Sequence, residues 1–171
     1  VAAYFKIGKL TGTYGLKGEL VLRHVLGKKT SLKGLEAIFI EENKDSFMPW
    51  FIQSTRIKND EELYLKLETI DTREAAGRLS QKNVWLPEAD FKKVVAKSAP
   101  VNFLGYDLIN EKKSLGPVLE VIEQPHQVLC RININSKEVL IPLNESTLQK
   151  IDHKKKEIYV QLPEGLLEVY L

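Results

Sequence analysis

Cysteine is almost missing from this chain: Cys130 stands alone. That excludes an internal disulfide framework and a cysteine-based zinc site. It suits a reducing compartment, and a cytoplasmic location is the expectation. Long apolar runs are missing too. No stretch approaches the roughly 18 residues that a membrane-spanning helix needs, so no membrane association is expected. The opening stretch Val1-Ala2-Ala3-Tyr4-Phe5-Lys6 has neither a basic head nor a long apolar run, so it does not read as a signal peptide. That reading leaves open a leader cleaved before Val1. Histidine is scarce: His24, His126 and His153 are scattered, none at ligand spacing from another or from Cys130, and each is expected on the surface or in a turn. Charge imbalance is slight, with 25 Lys and Arg against 23 Asp and Glu, so net charge alone does not announce a nucleic-acid binder. Repeats and low-complexity segments are absent.

What is present supports a packed fold. Across 171 residues, 43% are hydrophobic and 28% charged, a balance that favours a core over disorder. The length allows one domain or two small ones. Basic residues gather early: Lys6, Lys9, Lys17, Arg23, Lys28, Lys29 and Lys33 precede Glu36, with Glu19 the only acid among them. Such a local positive field suits phosphates. It equally suits a solvated rim that keeps strand edges apart.

Most of the chain alternates with period two. Glu19–His24, Glu36–Glu42, Phe47–Ile57, Leu63–Leu67 and Asn83–Leu86 read as strands, the last stopped by Pro87. Between the last two, Asp71 with Glu74 predicts a capping box that opens a short helix weakened by Gly77. The polar, basic stretch from Glu88 to Pro100 reads as the best linker, without a persuasive strand or long apolar stripe. Beyond it, Val118–Glu123, then Val128, Cys130, Ile132 and Ile134 on one face, then Val139–Ile141 predict a three-stranded antiparallel meander. Asn135-Ser136-Lys137 forms its second turn. The stretch 144–151 suits one helical turn, and Ile158–Leu162 a further strand. The chain thus divides into an N-terminal β module over residues 1–92, a linker over 93–100 and a second β module over 101–171. Short strands at this spacing indicate barrels rather than alternating β and α units.

Catalytic chemistry finds little support. Gly12, Gly15 and Gly18 suggest a phosphate loop, but Gly18 is followed by Glu19 and a strand, not by Lys-Ser/Thr and a helix. The three glycines read instead as turn residues with positive φ. Cys130 sits mid-strand on an apolar face and reads as a small buried hydrophobe. The acid pairs Glu41-Glu42 and Glu61-Glu62 read as solvated charge. No nucleophile, base and orienting group assemble, so no enzyme, no metal and no cofactor are expected.

Several segments, in order, resemble the RimM family of 16S rRNA processing factors. Ile7-Gly8-Lys9-Leu10, followed by Gly12-Thr13-Tyr14-Gly15-Leu16-Lys17-Gly18-Glu19-Leu20, is similar to the family's opening signature. Arg73-Glu74-Ala75-Ala76 resembles its short helix. Asp107-Leu108-Ile109 with Leu115-Gly116-Pro117-Val118 resembles the start of its second domain. Val139-Leu140-Ile141-Pro142 and Leu162-Pro163-Glu164-Gly165-Leu166-Leu167-Glu168 resemble its closing motifs. The resemblance implies a six-stranded, translation-factor-like N-terminal barrel and a C-terminal PRC-barrel. It implies binding of the nineteenth small-subunit ribosomal protein, in the head, and help with 30S assembly and 16S rRNA maturation. It implies no catalysis and no cofactor. The chain departs from the family at Tyr14, where histidine is usual, and at Phe103-Leu104-Gly105-Tyr106, where the family carries a denser aromatic cluster.

Two contact surfaces are expected on a monomer. Phe103, Leu104, Tyr106 and Asp107, where the second barrel begins, would anchor the partner protein, or else plug that barrel or the seam between domains. Tyr14, Lys17, Arg23, Lys28 and Lys29 would face the rRNA of the immature 30S subunit, the bases gathered near one end of the first barrel and touching phosphates without reading sequence. Rival readings are a general RNA-binding barrel without a protein partner, and a small enzyme or ligand-binding barrel.

Overall fold

The computed structural model describes residues 3–169; Val1, Ala2, Tyr170 and Leu171 lie outside them. The chain forms two compact units, the first ending at Asn102 and the second beginning at Phe103.

The first unit is a closed six-stranded barrel. Its strands are β1 (Tyr4–Tyr14), β2 (Glu19–His24), β3 (Ala37–Asn43), β4 (Ser46–Ile57), β5 (Glu62–Leu67) and β6 (Asn83–Pro87), in the order β1-β2-β5-β4-β3-β6. Closure depends on the two long strands, each of which serves two neighbours. β1 pairs with β6 through Tyr4–Lys9 and with β2 through Gly8–Tyr14, and the register slips at 6/8 and 10/12. Such bulges bend a strand and raise its twist, which is what closure demands. Gly8 sits in the overlap, where any Cβ would collide with the Arg23 carbonyl oxygen. The alternation seen in the sequence fills the interior: Leu20, Leu22, Ile38, Ile40, Leu63, Leu65, Val84 and Leu86 are buried. Each such side chain contributes about 1.5–3 kcal/mol.

Two helical expectations need correction. Helix α1 (Arg73–Gly77) is capped by Thr72, whose hydroxyl accepts the Ala75 N–H at 3.1 Å, and not by Asp71. The Asp71 carboxylate is engaged elsewhere: it accepts from the Lys66 ammonium at 2.9 Å, and Lys66 is itself buried. A buried cation needs a partner more than a helix end needs a second cap. The second correction concerns the stretch from Glu88 onward. Glu88–Val94 is a helix, α2, with Phe91 and Val94 buried and Phe91 edge-on to Phe5 at 5.1 Å. Two apolar residues at i, i+3 were too short a stripe to stand out. Ala96 N–H then bonds the Leu26 carbonyl, so the first part of the expected 93–100 linker packs on the first barrel.

The second unit has two sheets. β9 (Glu120–Gln124), β10 (Gln127–Ile134) and β11 (Lys137–Leu143) form the antiparallel meander read from the sequence. Its second turn is Asn135-Ser136, both residues with positive φ, between the paired Ile134 and Lys137. A four-stranded sheet orders β12 (Leu148–Asp152), β13 (Glu157–Val160), β7 (Asp107–Asn110) and β8 (Lys113–Pro117). Here β13 lies parallel to β7. The one helical turn expected over 144–151 is confined to its start, where Leu148 N–H bonds the Asn144 carbonyl, and β12 begins at Leu148. Cys130, Ile132, Val139, Ile141, Leu108 and Ile158 are buried.

Candidate functional site

The β1–β2 hairpin presents its tip to solvent. Tyr14 and Glu19 pair at its base, and the turn Gly15-Leu16-Lys17-Gly18 projects beyond them. Leu16 is 75% exposed at the turn, so its side chain is free to be covered by a partner. Lys17 beside it is exposed and makes no ion pair among the described residues. The tip is anchored from below. Gly18, at φ +96°, lies against the Ile70 carbonyl, where a Cβ would clash. Gly15 also has positive φ, whereas Gly12 sits in β1 opposite Val21 and is not a turn residue.

Tyr14 is 46% exposed and leans on a cluster. Its ring lies 4.4 Å from that of Tyr64, the Arg56 guanidinium stands 4.5 Å over Tyr64, and Arg56 donates to Glu19 at 2.8 Å. Strand pairing of β2, β5 and β4 places these groups on one outer wall. Arg56 and Tyr64 escaped the sequence reading because only the strand register brings them beside Tyr14.

The five residues expected to face RNA are not gathered at one end. Arg23 lies one residue before the end of β2, away from the tip, and Lys28 and Lys29 follow in the next loop. About 17 Å of strand separates them from Lys17. Acids also answer two of them: Arg23 pairs with Glu61 at 2.9 Å and Lys29 with Asp60 at 3.9 Å. Lys58 pairs with Glu62 at 3.6 Å along the same shallow depression, of about 560 Å³. Lys28 remains exposed with no ion pair among the described residues. Of the basic residues in the first 35, acids that follow Asn59 therefore answer Arg23 and Lys29, at the end of the barrel away from the hairpin tip.

The four residues expected to hold a partner protein are adjacent but differ in burial. Leu104 and Tyr106 are buried, which agrees with the alternative that they fill a core and leaves them no open surface. Gly105, at positive φ, reverses the chain between them, and Val118 locks the segment by accepting the Gly105 N–H and donating to the Tyr106 carbonyl. The Tyr106 hydroxyl meets His153 Nδ1 at 3.1 Å. Phe103, half-buried, and Asp107, which accepts from the Ser114 hydroxyl at 2.7 Å, reach the surface.

His126 and His153 are exposed as expected, but His24 is only 2% exposed. Its Nδ1 accepts the Leu26 N–H at 3.2 Å, which puts the proton on Nε2, and Nε2 is buried without a partner among the described residues. Burial lowers its pKa, against an opposing pull from Glu61. Cys130 is buried and its thiol is pushed up to about 12, so it is inert at neutral pH. Among the described residues no three His, Cys, Asp or Glu side chains converge to hold a metal. No helix among them is long and apolar enough to cross a membrane.

Comparison with known proteins follows this division of the chain. Residues 5–91 match the RimM N-terminal domain and residues 100–166 the RimM PRC barrel domain. The ribosome maturation factor RimM of Parabacteroides distasonis is 31% identical over 169 residues, covering 96% of this chain and 96% of the relative. That of Christiangramia forsetii is 28% identical, covering 98% and 96%. A solved RimM structure from Pseudomonas aeruginosa has 19% identity, covers 94% of this chain and 98% of that one, and superposes with a TM-score of 0.41. With both domains matched in order and nearly end to end, the chain belongs to the RimM family.

Proposed function

We propose that the chain is a ribosome maturation factor that takes part in 16S rRNA processing, binding the head of the immature 30S subunit without making or breaking covalent bonds. The observation that carries this reading is family membership across both units together with the exposed Leu16-Lys17 tip on a fixed base. The tip suits an assembly partner: an apolar side chain and a cation, held on a hairpin whose backbone is already ordered, lose little entropy on docking. Tyr14 and Lys17 would face rRNA together, with Tyr14 offering a ring to an unstacked base. Lys28 would add a separate phosphate contact from the other end of β2. In the second unit, Phe103 and Asp107 would contribute to capture of the nineteenth small-subunit protein, while Leu104 and Tyr106 hold the segment in place. The protein would work in the cytoplasm, as a monomer, without a cofactor.

Genetic complementation tests this reading. In a bacterial strain lacking its own family member, the wild-type chain is expected to restore correctly processed 16S rRNA ends. The double variant Leu16→Ser with Lys17→Glu is expected to restore them poorly while being expressed and folded normally. Full rescue by that variant would remove the hairpin tip from the account, and no rescue by the wild type would remove the function.

A further inference from the structure

β4 has a partly open edge. Its first half pairs with β3, from Asn43↔Ser46 to Ala37↔Phe51, but β5 joins it only from Ile52↔Leu67 onward. The Glu68 N–H reaches back to the Phe51 carbonyl at 2.9 Å. From Ser46 to Trp50, the side facing away from β3 has no strand partner among the described residues. A groove of about 380 Å³ runs there, lined by Met48, Pro49, Trp50 and Phe51 together with Glu42 and Glu68. Met48 is 48% and Phe51 50% exposed. The Trp50 indole N–H is buried without an acceptor. Phe51 and Pro49 also border a second depression of about 470 Å³, with Glu36, Asp90 and Lys93 on its rim. Lys93 is answered by Asp90 at 3.7 Å. Glu36, Glu42 and Glu68 make no ion pair among the described residues.

Two exposed apolar side chains, an open strand edge and unanswered carboxylates on both sides define an occupant. The acids repel a phosphate backbone. An apolar lining favours burial of apolar side chains, and the carboxylates select positive charge beside them. Pro49 lacks an N–H, so a full hydrogen-bonded ladder along the edge is blunted, and recognition must come from alternating side chains. We propose that this groove binds an extended cationic segment of a partner protein, running along the open edge with its apolar side chains meeting Met48 and Phe51 and flanking Lys or Arg residues meeting Glu42 and Glu68. The inference goes beyond the function proposed above, since it uses neither the hairpin tip nor Phe103.

The test titrates the full chain with a synthetic nonapeptide of lysine and arginine around a central leucine, read by calorimetry and tryptophan fluorescence. Saturable one-to-one binding is expected. Glu42→Lys with Glu68→Lys, both at exposed positions, is expected to weaken it at least tenfold, and Phe51→Ser by a similar factor, with melting midpoints close to wild type. Lys17→Glu is expected to leave the affinity unchanged, so loss at the groove is separable from loss at the tip. Three results would overturn the proposal: equal affinity in the double charge reversal, competition by an RNA oligonucleotide for the same groove, or a Phe51-dependent dimer that excludes the peptide. None of these would touch the complementation result.

Discussion

His24 ends β2 with its imidazole folded beneath the turn that follows, neutral and nearly sealed from water. An unpartnered buried donor costs about 1–3 kcal/mol, and protonation of the ring would cost more. Because its folded pKa lies below the ordinary value of 6.5, the unfolded chain takes up the proton first as pH falls. Its contribution is therefore complete above that value and is lost on acidification below it. The melting midpoint of the wild type is expected to fall more between pH 7.5 and 5.5 than that of His24→Asn, whose amide oxygen can accept the same Leu26 N–H. Parallel pH curves from circular dichroism would contradict this. Glu62 and Asp152, whose carboxyls are also held low, by Asn59 and by the backbone N–H of Lys155 respectively, act below 4.5 and 3.8 and leave that window clear. Tyr106 offers a second check at this scale. Truncating a buried ring costs about 3–5 kcal/mol. Tyr106→Ala is expected to destabilise by that order in urea titrations, Tyr106→Phe by about 1 kcal/mol through loss of the His153 contact, and Phe103→Ala by clearly less than Tyr106→Ala. Equal effects at 103 and 106 would reverse the assignment of which ring is core.

At the scale of elements, alternation carried most of the information. Leu20 and Leu22, Ile38 and Ile40, and Leu63 and Leu65 each mark an inward face, and a strand with one wet face declares itself that way. Elements without that signal were lost. α2 shows only Phe91 and Val94, and β7 pairs with β13 across a separation that no local pattern reveals. Site legibility followed the same line. Of the hairpin tip, Tyr14 and Lys17 were legible in the sequence, whereas Leu16 stands out only once its exposure is known. The groove beside β4 could not be read, because Met48 and Phe51 become a surface only where β5 stops pairing. The aromatics Tyr4, Phe39, Phe47 and Trp85 form a chain of ring contacts at 4.3–5.2 Å, stacked between Tyr4 and Phe47 and tilted elsewhere, which only the strand register brings together. Two substitutions probe the hairpin as a unit. Gly18→Ala must strain a positive φ and push against the Ile70 carbonyl, so a loss of about 2 kcal/mol or more is expected. Gly12→Ala meets open space and is expected to shift stability by less than about 1 kcal/mol. Thr72→Ala removes the α1 cap, at about 1 kcal/mol. Denaturant midpoints for the three variants check the order.

On the scale of the whole molecule, two β units carry matching family domains along one chain. Their ordered motifs were legible because each fixes a turn or a core face, and turns and cores are what sequence constrains most directly. Charge was less legible. The early basic residues suggest a positive face, yet Glu61 and Asp60 return in space to pair with two of them, Arg23 and Lys29. Surface pairs of this kind contribute about 0–1 kcal/mol each, so they matter less for stability than for cancelling a field. Binding is therefore expected to depend on the Leu16-Lys17 tip more than on the ion-paired Arg23 and Lys29. Sedimentation of the purified chain with small subunits tests this most directly. Retention on immature subunits carrying unprocessed 16S rRNA, a drop of at least tenfold for Leu16→Ser with Lys17→Glu, and little change for charge reversal at Arg23 and Lys29 are the predicted results. Equal retention of wild type and tip variant, or no retention on immature subunits at all, would contradict the account.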